Sequence, residues 1–144
     1  MPMVSDVLAA KGGQVHSVSP ATRVMEAIQK MNQHKIGAVL AVQDGQVAGI
    51  FTERDVLRRV IGEQRSPSAC TVAEVMTEDV ICVRPETDLD EVASIMQQKK
   101  VRHIPVCDED GLHGMISIGD LNAFHASSQE AQIHFLSEYI YGRV

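Results

Sequence analysis

Apolar residues recur at helical spacing in two separate stretches of the chain. Positions i, i+3, i+4 and i+7 are apolar in both stretches, a pattern that gives a helix one apolar face. These residues are Val24, Ala27, Ile28 and Met31 in the first stretch and Leu89, Val92, Ala93 and Met96 in the second. Each stretch predicts an amphipathic helix. Thr22 and Thr87 are the predicted N-caps, and Asp90 closes a capping box with Thr87.

Two short β-rich runs follow each predicted helix, with a turn between them. The runs span residues 39–42 and 47–51 in the first stretch, and residues 104–107 and 112–116 in the second. Such paired runs predict a β-hairpin. A short helix then closes each unit, and its apolar residues are Val56, Leu57, Val60 and Ile61 in the first unit and Leu121 and Phe124 in the second. Each unit therefore has the order strand, helix, strand, strand, helix.

The two units are copies of one another. Residues 15–57 align without gaps to residues 80–122 at an offset of 65, with ten identities in 43 pairs, where average composition gives about two or three. Each copy is too small to bury much of its own surface, so we expect the two to pack together. The sequence predicts an α+β fold with repeat 1 at 1–61, a linker at 62–71, repeat 2 at 72–126 and a C-terminal amphipathic helix at 127–144.

Composition and charge exclude several classes of protein. The net charge of −6 does not suit a nucleic-acid-binding or anionic membrane-binding surface. The N-terminus has no signal-like apolar region and no stretch is long enough to span a membrane, so we expect a cytoplasmic protein. Cys70, Cys82 and Cys107 form no CxxC motif and are interpreted as buried free thiols. The histidines have no metal-ligand spacing, and no metal site is predicted.

A hydroxyl and a carboxylate three residues apart follow the last strand of each copy. Thr52 and Asp55 stand at this position in repeat 1, and Ser117 and Asp120 in repeat 2. A hydroxyl at a strand-to-helix junction suits a phosphate oxygen, and a carboxylate there can accept hydrogen bonds from both hydroxyls of a ribose. Arg54, and Arg58 one turn on, add positive charge on the first side. The alternative is that both pairs are helix caps, a role that is compatible with binding.

These residues resemble the tandem CBS domain pair, or Bateman module, over roughly residues 4–126. The resemblance rests on the segments 72–77 (VAEVMT), 101–106 (VRHIPV), 49–55 (GIFTERD) and 114–120 (GMISIGD), which occur in the family's order in two copies. It implies a regulatory module that binds AMP, ADP, ATP, NAD or S-adenosylmethionine in the cleft between the repeats. It also implies a homodimer, and it leaves the regulated protein unidentified.

The resemblance also assigns residues to two sites. The Asp55 site would gain Arg102 and His103, with Pro105 in the same strand, and Thr77, Val80 and Cys82 would line the base. The Asp120 site would gain Gly37 and Ala38, with Val15 and Ser17 near the base. Gly119 stands where repeat 1 has Arg54. We therefore expect the Asp55 site to hold phosphates more tightly than the Asp120 site.

Three functions compete at this point. The leading hypothesis is an adenine-nucleotide sensor that is not an enzyme, because the sequence has no P-loop, no GxGxxG and no nucleophile with an adjacent base. The second is a structural dimerisation module whose carboxylates only cap helices, and the third is a nucleotide-processing enzyme. In the tail, Ile133, Leu136 and Ile140 share a helical face that would fold back on the core or dock on a second subunit.

Overall fold

The computed structural model describes residues 2–127 of the chain, so the predicted C-terminal helix falls, but for its first residue, outside the described residues. The α+β fold and its two tandem repeats are confirmed. In chain order the elements are α1 (Val4–Lys11), β1 (Ser17–Val18), α2 (Val24–His34), β2 (Ala38–Gln43), β3 (Gln46–Thr52), α3 (Glu53–Asp55) running into a π-helical stretch (Val56–Ile61), α4 (Val72–Val75), α5 (Leu89–Lys99), β4 (His103–Asp108), β5 (Gly111–Ser117) and α6 (Ile118–Ser127).

Both predicted hairpins are present. Strands β2 and β3 pair antiparallel, as do β4 and β5, and a β-bulge interrupts each pair at matching places, after Ala41 and after Val106. Asp44 and Gly45 connect β2 to β3, and both have a positive φ, of 53° and 78°. Two central residues of this kind form the tight turn whose twist matches the flanking strands.

The first strand of each repeat differs between the copies. In repeat 1, β1 runs parallel to β2, and the Leu40 amide donates to the His16 carbonyl at 3.2 Å. The residue that matches Leu40 in repeat 2 is Pro105, which has no amide hydrogen to donate. The predicted strand of repeat 2 is therefore reduced to one parallel bridge between Val83 and Val106.

The first helix of each repeat packs into the core of the other repeat. Val72 and Val75 of α4 are buried in the core of repeat 1, and Val4 and Val7 of α1 are buried in the core of repeat 2. Full burial of one such side chain contributes about 1.5–3 kcal/mol. The exchange of these two helices joins the repeats, because neither core is complete with its own repeat alone.

The predicted N-caps of the two long helices are wrong by one residue. Arg23 occupies the N-cap position of α2 without a side-chain cap bond, and Asp88 caps α5, where its side chain accepts from the Asp90 amide at 3.3 Å. The reason is tertiary, because the carbonyls of Thr22 and Thr87 accept from the amides of Val72 and Val4 in the exchanged segments, at 2.8 and 2.9 Å.

The prediction of three buried thiols is also wrong. Cys70 is buried, but Cys82 is exposed and Cys107 is half-buried. Side chains alternate along an extended chain, and the neighbours Val83 and Val106 take the buried positions.

Candidate functional site

Asp55 anchors a cleft between the two repeats. Its Oδ2 atom accepts from the Thr52 amide at 3.0 Å and from the Thr52 hydroxyl at 3.3 Å, while the Asp55 amide donates to Thr52 Oγ1. Its Oδ1 atom accepts from the Thr77 hydroxyl at 3.3 Å and lies 3.7 Å from Arg59 Nε. The predicted capping box is thus present, and it fixes a carboxylate that is only 7% exposed.

The cleft beside Asp55 has a volume of about 230 Å³ and a strongly basic wall. Its basic residues are Arg54, Arg58, Arg59, Lys100 and Arg102, against two acidic residues, Glu53 and Asp55. Arg54 donates to the Lys100 carbonyl at 3.0 Å, and Arg59 donates to the Met76 carbonyl at 2.9 Å. Within residues 2–127, Arg58 and Arg102 form no ion pair, so their guanidinium groups are available to bind an anion.

Asp120 anchors a second cleft, of about 310 Å³, on the matching side of the molecule. The Ser117 amide donates to Asp120 Oδ2 at 2.8 Å, and the Asp120 amide donates to Ser117 Oγ at 3.0 Å. Lys11 Nζ donates to the same Oδ2 at 2.7 Å and to the Met115 carbonyl at 2.9 Å. Burial opposes ionisation of Asp120, but the bonds from Lys11 and Ser117 outweigh it and hold the pKa of the carboxyl below its ordinary value.

Lys11 is a site residue that the sequence did not reveal. It lies at the end of α1, 109 residues from Asp120, and it reaches the cleft only because α1 packs on repeat 2. Lys35 also lines this cleft. The sequence signal for Lys35 was its identity with Lys100 at the offset of 65. Both lysines follow a long helix in the left-handed conformation, with φ of 55° and 57°, and each borders one cleft.

Gly37 and His103 line both clefts. Burial is the main cause that lowers the pKa of His103, and the carboxylates of Glu53 and Asp120 only partly offset it. His103 is therefore mostly neutral at neutral pH and can accept or donate a hydrogen bond. A Cβ atom at Gly37 would lie 3.3 Å from the Glu53 carboxyl group, which is a tight contact.

Most of the predicted site residues come together at the two clefts. The Asp55 cleft is lined by Thr52, Arg54, Asp55, Arg58, Thr77, Arg102 and His103, and the Asp120 cleft by Val15, Gly37, Ala38, Ser117 and Asp120.

Four predicted residues line neither cleft: Val80, Cys82, Pro105 and Ser17. Val80 packs against the small cluster around Leu40, and Pro105 is buried opposite Met115 in the second hairpin. The Ser17 carbonyl accepts from Lys30 at 2.7 Å. A role for these residues at the base of a bound ligand stays a prediction.

Two α+β repeats with exchanged helices and a pair of matching clefts define a duplicated module. The sequence model of the family described as "CBS domain" matches residues 4–62 and 72–125. The chain belongs to the CBS-domain family. In the part of the chain that the structure describes, no helix is long and apolar enough to cross a membrane.

Named relatives agree with this assignment. The CBS domain-containing protein CBSX3, mitochondrial, of Arabidopsis thaliana is 35% identical to this chain over an alignment of 148 positions. The alignment covers 96% of this chain and 72% of the relative. A CBS-domain protein from Burkholderia ambifaria MC40-6 has a solved structure with 39% identity and a TM-score of 0.86, covering 89% of this chain and 96% of that one. The CBS domain pair of MJ0100, solved with 5′-methylthioadenosine and S-adenosyl-L-methionine, shares the fold at 23% identity with a TM-score of 0.75, covering 86% and 95% of the two chains.

Proposed function

We propose that this chain is a stand-alone regulatory module that binds an adenosyl ligand in the cleft at Asp55 and catalyses no reaction. The candidate ligands are AMP, ADP, ATP, NAD and S-adenosylmethionine. The observation that carries the proposal is the juxtaposition of a fixed, buried carboxylate with five basic residues in one cleft between the repeats. The same fold holds two adenosyl compounds in MJ0100, which supports the ligand class.

The chemistry of the cleft suits a ribose joined to a phosphate. A carboxylate has about four acceptor positions on its two oxygens. The Thr52 amide, the Thr52 hydroxyl and the Thr77 hydroxyl take three of them, so one position is left for a ribose hydroxyl, and a second ribose hydroxyl would replace a threonine hydroxyl. Arg58 and Arg102 would then face the phosphate, since planar guanidinium groups bind phosphate through paired hydrogen bonds. The carboxylate of Asp55 and the guanidinium groups of Arg58 and Arg102 would thus contact different parts of the ligand, the ribose hydroxyls and the phosphate.

We propose a weaker role for the Asp120 cleft. Lys11 already holds the carboxylate at 2.7 Å, so a ribose must displace this bond or share it. The cleft has two lysines, Lys11 and Lys35, against one acidic residue, which is less positive charge than the Asp55 cleft carries. We expect phosphate ligands to prefer the Asp55 cleft.

We also propose that the module works as a homodimer that acts on a regulated protein. Leu57 and Ile61 in the π-helical stretch are 66% and 56% exposed, and Ile118 of α6 is 42% exposed. Leu57 and Ile61 are four residues apart in one helical stretch, and contiguous exposed apolar surface favours an interface. The cytoplasmic location stays a prediction.

The competing function is a structural dimerisation module that binds no ligand. This function is supported by the hydrogen bonds of both hydroxyl–carboxylate pairs. In each pair the two side chains accept from each other's backbone amides, as in a capping box, so each carboxylate has a structural role without a ligand. A test must therefore separate the loss of a cap from the loss of a ligand.

Thermal unfolding with AMP, ADP, ATP, NAD, NADH or S-adenosylmethionine makes this separation. A ligand at about 100 times its Kd adds about 2.7 kcal/mol of stability, which raises the Tm by several degrees. Asp55→Ala removes the cap and the proposed ribose acceptor. Glu74→Ala is the matched control, because Glu74 closes a capping box with Thr71 and lines neither cleft.

Each cap is expected to contribute about 1 kcal/mol. Asp55→Ala also removes the bond from the Thr77 hydroxyl, so it should lose more stability without ligand than Glu74→Ala, and the comparison rests on the ligand-induced rise in Tm of each variant. The proposal predicts that Glu74→Ala keeps the ligand-induced rise in Tm and that Asp55→Ala loses it. If no compound raises the Tm of the unaltered protein, the structural dimerisation module becomes the better account.

A further inference from the structure

Two cysteines on neighbouring extended segments bring their sulfur atoms together outside both clefts. Cys82 Sγ and Cys107 Sγ lie 3.6 Å apart, although 25 residues separate them in sequence. The parallel bridge between Val83 and Val106 sets their positions, with amide bonds of 3.0 Å from Val83 to Pro105 and 2.8 Å from Cys107 to Val83. Each cysteine adjoins a bridge residue that is buried, so both sulfurs face the opposite side.

The two thiols differ in access to solvent, and the pKa of Cys107 is raised. Cys82 is exposed and Cys107 is half-buried. Burial, the hydrogen bond with Cys82 and the nearby carboxylate of Asp108 raise the pKa of Cys107 to about 11. An oxidant from solution therefore reaches Cys82 first. Cys107 lies beside Cys82 and is protonated at neutral pH. The third cysteine, Cys70, is only 4% exposed within the core of repeat 1.

We propose that Cys82 and Cys107 form a reversible redox site that closes to an intramolecular disulfide under a peroxide oxidant. The Cys82 sulfur attacks one peroxide oxygen and the O–O bond breaks, which gives a sulfenic acid and one water. The Cys107 sulfur then attacks the sulfenic sulfur, and the hydroxyl group leaves with the Cys107 proton as a second water. Two thiols are oxidised, one peroxide is reduced, and a dithiol reductant reverses the reaction.

The position of the crosslink gives it a structural consequence. The chain that leads into repeat 2 is held to the first sheet at Thr77, through two backbone bonds to Ile50 of 2.9 Å each. It is held to the second sheet by the single Val83–Val106 bridge. A disulfide at Cys82 would add a covalent link to β4 beside this bridge, and closing the loop would remove freedom from the unfolded chain. The oxidised protein is expected to melt at a higher temperature than the reduced protein.

The test exposes the reduced full-length chain to hydrogen peroxide and then blocks free thiols by alkylation under denaturing conditions. Intact mass reports the loss of two hydrogen atoms, and the number of alkyl groups reports the remaining thiols. Cleavage after glutamate assigns the link, since Glu74 and Glu78 lie between Cys70 and Cys82 and the expected linked peptides are 79–86 and 92–109. The variants are Cys82→Ser and Cys107→Ser, with Cys70→Ser as the matched control.

We expect the unaltered chain and Cys70→Ser to lose two hydrogen atoms, to link these two peptides and to recover both thiols after reduction. The two other variants are expected to form no link within one chain. The proposal is overturned if Cys82 gains oxygen atoms while Cys107 remains open to alkylation, or if the link joins two chains. An oxidised chain that melts no higher than the reduced chain would overturn the structural consequence.

Discussion

The Asp55 and Asp120 clefts share one framework and differ in where their positive charge comes from. In both, a hydroxyl and a carboxylate three residues apart cap the start of a helix and fix the carboxylate at the mouth of a cleft. At Asp55 the charge comes from arginines that include the unpaired Arg58 and Arg102. At Asp120 it comes from Lys11, which is already bonded to the carboxylate.

The two copies share the local hydroxyl–carboxylate geometry but differ in the residues that surround it. The position of Arg54 is taken by Gly119 in repeat 2, and the position of Arg102 corresponds to Gly37 in repeat 1. Both changes leave the Asp55 cleft with the arginines and the Asp120 cleft without them. The two clefts should therefore differ in affinity for phosphates, and the Lys11 bond to Asp120 should also weaken ribose binding at the second cleft.

Among changes to the basic residues around the two clefts, removing an arginine from the Asp55 cleft should have the greatest effect. Arg102→Ala should weaken binding of ATP or AMP by about ten- to hundredfold, because a hydrogen bond to a charged group contributes about 1.5–3 kcal/mol. Arg102 is exposed and lies outside both cores, so stability without ligand should change little. Calorimetric titration measures the affinity, with adenosine as the uncharged reference. An equal loss for adenosine would contradict a phosphate role for Arg102.

A smaller gain should follow from giving the Asp120 cleft the missing arginine. A Cβ atom at Gly119 meets only Ser117 Oγ, at 3.6 Å, so the position accepts a side chain. Gly119→Arg should tighten phosphate binding at this cleft by about tenfold, equivalent to about 1.4 kcal/mol. Gly119→Ala controls for the helix stabilisation of roughly 0.5–1 kcal/mol that loss of the glycine brings. If Gly119→Arg and Gly119→Ala bind nucleotides with the same affinity, the charge at position 119 does not cause the difference in phosphate affinity between the two clefts.

The smallest effect concerns Lys11 and the pH dependence of stability. Because the folded-state pKa of Asp120 lies below its ordinary value of 3.8, the ionised carboxylate stabilises the fold above that pH, and this contribution is lost as the pH falls through the folded-state pKa. Lys11→Met should raise the pKa of Asp120 relative to the unaltered protein and cost about 1 kcal/mol or less at neutral pH.

Chemical unfolding across the acidic range measures this change. The unaltered protein and Lys11→Met should converge in stability as Asp120 becomes protonated in both. The side chains of Lys11 and Asp120 are 35% and 22% exposed, so added salt should also narrow the gap. A constant difference at every pH would assign Lys11 a packing role instead.

Local pattern was enough to predict the two long helices, both hairpins and the two anchoring carboxylates. Helical spacing placed α2 and α5, β-rich runs placed both hairpins, and the repeated Thr/Ser-x-x-Asp pattern pointed to Asp55 and Asp120. The expectation that the Asp55 site is the more basic one also rested on sequence, through Arg54 and its counterpart Gly119.

What local pattern could not predict depends on the exchange of α1 and α4 between the cores. Lys11 enters the Asp120 cleft only through that exchange, and Thr22 and Thr87 lose their capping role because the exchanged segments occupy their carbonyls. The shortened first strand of repeat 2 is different in kind. Pro105 was visible in the sequence, and its missing amide hydrogen could have signalled the lost pairing.

The most direct test of the central claim is calorimetric titration of ATP and AMP into the unaltered protein, Asp55→Ala and Asp120→Ala, with Glu74→Ala as the cap control. The account predicts one dominant binding event that Asp55→Ala abolishes and that Asp120→Ala and Glu74→Ala retain. Unchanged binding in Asp55→Ala, or loss of the dominant event in Asp120→Ala alone, would contradict it.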